Sequence, residues 1–196
     1  LVRNIWKDTI GVDLPKQFPI ISYHDAMERF GSDKPDIRFD LELREFSSYI
    51  EKSNFNTFKD IISSGGIVKS IVCPNADKYS RKVIDELTDY LKTYFSAKGL
   101  AWMKYIDGNL DGGISRFFAD DIKNSILSDL DIDDNSIIFI VGDSKNVVYN
   151  SLGALRLKLA KRENLIDENL WCPLWVVDFP LVEWNEEQGR WESLHH

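Results

Sequence analysis

The chain has 196 residues and a mass of 22.7 kDa, room for one ordinary domain plus short additional segments. Its 6 Trp, 7 Tyr and 11 Phe exclude an intrinsically disordered chain. The 32 acidic against 24 basic residues, a net charge of −8, exclude a broad phosphate-neutralising clamp, although a local patch could still meet nucleic acid.

In chain order, Leu1, Val2, Ile5 and Trp6 share one helical face, and Gly11 and Pro15 end that helix. Ser22 precedes Tyr23, Ala26, Met27 and Phe30, which predicts a second helix with Asp25 three residues past its cap and Gly31 as its left-handed stop. Residues 31–38, GSDKPDIR, read as a polar, structured loop in which Pro35 keeps Lys34 extended. Leu43, Phe46 and Ile50 suggest a short helix. Residues 54–62 and 67–72 read as strands joined into a hairpin through Ser63, Ser64, Gly65 and Gly66. Ser80 caps a helix that turns Val83, Ile84, Leu87, Leu91 and Tyr94 inward. Residues 100–106 and 113–117 read as strands around Asp107, Gly108 and Asn109. Helical spacing returns from Phe118 to Leu130, and residues 136–141 form a buried strand.

Ser144 then caps a long helix with Val147, Val148, Ser151, Leu152, Leu155 and Leu159 on one side. Its end carries Arg156, Lys158, Lys161 and Arg162, where basic residues ordinarily complement the helix dipole. Residues 170–181 are apolar enough for a strand buried on both faces, with Pro173 and Pro180 at its margins. An acidic turn at 183–188 leads through Gly189 into a hairpin partner at 190–194. The middle alternates helices and strands and could fold alone. Five of the six Trp residues lie outside it, at Trp6, Trp171, Trp175, Trp184 and Trp191, which suggests flanking surfaces made to pack onto something larger.

The residues alone carry little chemistry. Cys73 and Cys172 have no CxxC spacing and read as free thiols of a reducing compartment. Gly108, Gly112 and Gly113 belong to a turn and not a phosphate loop. His24 reads as solvated, and Asp131, Asp133 and Asp134 lack the glycine and distal Glu of a calcium loop. No segment approaches the ~20 apolar residues of a membrane helix, and no secretory signal is visible, so a cytoplasmic protein is expected. The start at Leu1 and the stop at His195-His196 suggest cut ends, and two terminal histidines also fit the stub of a purification tag.

Three stretches carry a specific resemblance. PIISYHDAMERFGSDKPDIRFDLEL, residues 19–43, resembles the stretch just beyond motif 2 of bacterial-type aspartyl-tRNA synthetases, with residues 1–13 similar to the preceding helix. WVVDFPLVEWNEEQGRWESLHH, residues 175–196, resembles the return into their class II catalytic domain. SLGALRLKLAKRENLI, residues 151–166, and GLAWMKY, residues 99–105, resemble their inserted GAD domain, which is also found in a glutamyl-tRNA amidotransferase subunit. The resemblance covers essentially the whole chain. At residues 114–117 the sequence ISRF departs from the family's PIAKFL-like run, and Arg116 keeps only the charge of its lysine.

The resemblance implies an α+β fold, a GAD-type domain with a mainly antiparallel sheet packed by helices. It divides the chain into a catalytic-domain flank at 1–42, the GAD insertion at 43–166 and a return segment at 167–196. The parent would be a ligase, a homodimer joining L-aspartate to tRNA with ATP and magnesium. His195 matches the first histidine of the family's pair at the aspartate pocket, and His196 its neighbour. Asp33 and Lys34 would shape the edge of the catalytic site near the tRNA acceptor end. No catalytic and no metal-binding residue is carried over, so the piece by itself is expected to be inactive. The alternatives are a non-catalytic GAD module of a tRNA-dependent amidotransferase, or a structural spacer beside the acceptor arm.

Overall fold

Capping signals start and stop the first elements as their residues suggest. In the computed structural model, which describes residues 1–185 and 188–193, helix α1 (Val2–Ile10) ends at Gly11 with φ 72°. A short strand β1 (Ile20–Ser22) runs into α2 (Tyr23–Phe30). The Ser22 hydroxyl accepts the Asp25 N–H at 3.0 Å, and Gly31 closes α2 in the left-handed region.

The next block corrects two expectations. Strand β2 (Arg44–Glu45) and helix α3 (Ser47–Lys52) replace the single short helix expected around Phe46. Residues 54–62 are not a strand but belong largely to helix α4 (Asn56–Ser63). Phe55, Phe58, Ile61 and Ile62 recur three to four residues apart, so a helix turns them all onto one core while a strand would split them. Gly65 and Gly66 therefore link a helix to strand β3 (Ile67–Pro74) and do not close a hairpin.

Helix α5 (Arg81–Phe95) is capped by Ser80, but Tyr94 is 71% exposed and rests beside Tyr90 on the outer face. Strand β4 (Ala101–Ile106) returns as β5 (Asn109–Asp111), earlier than expected. Gly112 and Gly113, both at positive φ, lead the chain out of the sheet, and residues 115–117 form a 3-10 turn. A Cβ at Gly113 would strike the Trp102 carbonyl, whose oxygen accepts the Ile114 N–H. Helix α6 (Asp120–Asp129), strand β6 (Ser136–Asp143) and helix α7 (Lys145–Arg162) complete the block.

The strands form one antiparallel sheet in the order β2-β3-β6-β4-β5. Central β6 is buried at every residue and alternates between two cores. Ile137, Phe139 and Val141 face α5 and α7, while Ile138 and Ile140 face the layer containing α3, α4 and α6. The result is a three-layer α/β/α sandwich, an α+β fold with a mainly antiparallel sheet as the sequence implies.

The covalent flanks do not stop at the edge of this sandwich. Phe39, Leu41 and Leu43 are buried in the core that α7 faces. The C-terminal flank contributes β7 (Trp175–Val177), which pairs in parallel with β1 through Ile20↔Trp175, Ile21↔Val176 and Ser22↔Val177. Residues 170–181 are therefore no doubly buried strand: only three residues pair, and Trp175 and Leu181 are 56% and 80% exposed. A hairpin of β8 (Val182–Asn185) and β9 (Arg190–Ser193) follows as expected, with Trp184 and Trp191 edge-to-face at 5.5 Å. No helix among the described residues is long and apolar enough to cross a membrane.

One close approach joins α2 to α7. A Cβ on Gly153 would lie 2.5 Å from the Gly31 carbonyl oxygen. Helix propensity alone favours Gly153→Ala by about 1 kcal/mol, but the two backbones must separate to admit the methyl group. Gly153→Ala is expected to cost about 1–3 kcal/mol, read as a lower urea midpoint, while Gly99→Ala, with open space around it, leaves the midpoint near wild type.

Candidate functional site

The GSDKPDIR loop is held from within and from both sides. The Ser32 hydroxyl accepts the Lys34 N–H at 3.1 Å, and Asp36 accepts both the Arg38 N–H at 3.1 Å and its guanidinium at 2.8 Å. The Arg38 guanidinium holds the Asp36 carboxyl below its usual range. Arg38 also reaches Glu168 of the C-terminal flank at 3.5 Å, so one side chain ties the two flanks together.

Arg156 anchors the same loop from the domain side. It is 1% exposed and donates to four backbone carbonyls: Asp36 at 2.8 Å, Phe39 at 2.8 Å, Asp40 at 2.9 Å and Leu41 at 3.1 Å. Burial pulls its pKa down to about 10, against the attraction of Asp36, Glu42 and Asp40, and it stays protonated at neutral pH. The expectation that Arg156 serves the helix dipole is thus corrected. Its position four residues after Leu152 and three before Leu159, inside the apolar stripe, is the signal that places it inward.

Between the flanks the loop lines a cleft of about 430 Å³ with Trp6, Leu14, Arg38, Trp171 and Cys172. Trp6 and Trp171 meet edge-on at 5.4 Å. Of the two loop residues singled out from the sequence, Asp33 is half-buried and Lys34 is exposed at the cleft. His195 and His196 lie outside the described residues. Arg116 sits in the 3-10 turn with its guanidinium 4.9 Å from the Phe117 ring centre, away from this cleft's lining. Cys73 is buried beside Tyr79, and burial pushes its thiol up to about 12. Among the described residues no group of three or more His, Cys, Asp or Glu gathers as a metal site.

A second junction binds α2 to the sandwich. Lys69, 4% exposed, contacts the Glu28 carboxylate at 2.7 Å and donates to the Glu28 carbonyl at 3.1 Å. The Tyr149 hydroxyl donates to the same carboxylate, and Lys145 lies 3.5 Å away. Burial alone would raise the Glu28 carboxyl, but these donors and cations outweigh it and hold the group at about 2.

Residues 58–152, most of the sandwich, match the family model described as the GAD domain. Over its whole length the chain is 47% identical to an aspartate–tRNA ligase of Halalkalibacterium halodurans, covering 33% of that protein. It is 45% identical to the corresponding ligase of Staphylococcus saprophyticus, again covering 33% of it. It is 44% identical to a protein of Bacillus mycoides named aspartate–tRNA(Asp/Asn) ligase, covering 33%. The chain thus corresponds, end to end, to about a third of bacterial aspartate–tRNA ligases, the class II family that its motifs resemble.

Folding lowers the Glu28 carboxyl from 4.5 to about 2, so its contribution is complete above 4.5 and is lost as pH falls toward 2. Glu28→Gln is expected to lower the melting temperature at neutral pH and to flatten its decline across that window. Circular dichroism melts of both proteins from pH 7 downward check this.

Proposed function

We propose that this chain is the GAD-containing part of an aspartate–tRNA ligase. The parent activates L-aspartate with ATP to aspartyl-adenylate and transfers it to the 3′ end of tRNA. The observation that carries this reading is that the match to these ligases covers the whole chain, residues outside 58–152 included. In that parent, residues 1–42 and 167–196 are two pieces of the catalytic domain, and residues 43–166 are the insertion between them. A two-stranded parallel ribbon is marginal alone and needs cover on its faces. Ribbon β1–β7, bordered by exposed Ile20, Trp175 and Val177, is accordingly the edge of a larger sheet.

Magnesium and the ATP phosphates need carboxylates and cations held together, and the resemblance carries none of these groups onto this chain. Those groups belong to the remainder of the parent, and no step through them is derived from this chain. By the family resemblance alone, we read His195 as the residue that meets the substrate aspartate, with His196 next to it in sequence, since an imidazole can read a carboxylate by charge and hydrogen bonding. The parent is a cytoplasmic homodimer.

The purified chain is expected to show no aspartate-dependent ATP–pyrophosphate exchange under conditions where a ligase containing it is active. Measurable exchange by the chain alone would overturn the assignment of the missing groups.

A second reading concerns the insertion itself. Asp131, Asp133 and Asp134 are exposed just before β6, where Asp134 accepts the Gly108 N–H of the β4–β5 turn, so this end of the sheet presents carboxylates that repel phosphate. This face acts as a spacer beside the acceptor arm and not as a tRNA grip. Filter binding is expected to detect no tRNA retention by the chain even at low salt, and salt-sensitive binding would contradict the spacer.

A further inference from the structure

We propose that Arg156 is a positioning residue, whose guanidinium fixes loop 36–41 on α7 and thereby sets the direction in which the N-terminal flank leaves the GAD domain. The consequence for catalysis rests on reading the flanks as pieces of a ligase; the latch itself does not.

A guanidinium presents five donors in a rigid planar fork. Here the fork is matched to carbonyls of four residues spread over six positions of chain, and among the described residues no carboxylate pairs with it. Its guanidinium carbon lies over two rings, 4.0 Å from the Phe39 ring centre and 4.9 Å from that of Phe30. Phe39 belongs to the loop and Phe30 to the last turn of α2, so both partners are on the flank side. A core position that needed only volume would hold an apolar residue.

The loop is also strained. Leu41 has φ 66°, a left-handed conformation that a leucine rarely adopts, and its side chain is 7% exposed in the core. The Leu41 carbonyl takes the Arg156 Nε–H, so the strained peptide is held directly by the guanidinium. From there the chain returns to α2: the Leu43 N–H donates to the Arg29 carbonyl at 2.8 Å, and Glu42 accepts two bonds from Arg29. Helix α2 follows β1 without a break, and β1 pairs with β7. A rigid path therefore runs from α7 through Arg156 and the loop into the ribbon of the catalytic flanks. Lysine keeps the charge but gathers its donors on one atom, and cannot span the same carbonyls.

Arg156→Lys is expected to speed amide hydrogen exchange in the 196-residue chain about tenfold at Gly31 and Leu43, the loss of a charge-assisted bond. The Ile138 and Ile140 amides in the middle of β6 should stay at their wild-type rates. Unchanged exchange at Gly31 and Leu43, or equal acceleration along β6, overturns the latch. In the ligase that contains this segment, the same substitution should lower kcat/KM for tRNA charging with the melting temperature of the GAD domain retained. Wild-type charging by the variant overturns the positioning role. An inactive wild-type ligase would instead overturn the reading of the flanks, while the exchange measurement still decides the latch.

Discussion

A buried guanidinium has few ways to exist. Taking it out of water costs several kcal/mol unless the environment supplies acceptors in return. At Arg156 the acceptors are peptide carbonyls of Asp36, Phe39, Asp40 and Leu41, groups that would themselves be costly to bury unpaired. Each side satisfies the other. The carbonyls of this loop lie outside any strand or helix, and the guanidinium on the apolar stripe of α7 supplies their donors. From this mutual need follow the left-handed Leu41, the burial of Phe39 and Leu43, and the seating of α2 against α7 at Gly31 and Gly153.

The boundary of the family match and the boundary of the packing consequently differ. The family model begins at residue 58, but the core it encloses includes side chains from residues 39 to 43. Lys69 and Tyr149 reach back to Glu28, and Arg38 reaches across to Glu168. Polar groups thus join flank to domain alongside the buried Phe39 and Leu41. The exposed Trp175, Leu181, Trp184 and Trp191 all lie in the C-terminal segment that carries β7, β8 and β9.

Much of the fold was legible because its signals are local. Ser22 and Ser80 accept the N–H groups their positions suggest, and Gly11 and Gly31 stop their helices left-handed. The apolar run at 136–141 became the central strand because a strand covered on both faces must be apolar on both. The failures are equally physical. Residues 54–62 are short and apolar, a case in which period and not composition decides, and the period of Phe55, Phe58 and Ile62 is helical. Residues 170–181 have the composition of a buried strand, and their neighbours are not part of this chain's own packing. Of the candidate site, the GSDKPDIR loop was visible as a motif, but its anchor 120 residues further on was not.

The sequence by itself determined the caps at Ser22 and Ser80, the stops at Gly11 and Gly31, the central strand, the aromatic asymmetry between flanks and middle, and the motifs shared with aspartate–tRNA ligases, about a third of whose length the chain spans. These depend on neighbouring residues or on spacing along one element. Only the tertiary structure decided that Arg156 faces inward, that Leu41 is held left-handed, and that β1 pairs with a strand more than 150 residues away. Those outcomes depend on which distant carbonyl or strand edge comes within reach of a donor. That is set by the packing of the whole sheet and its helices, and no local pattern encodes it.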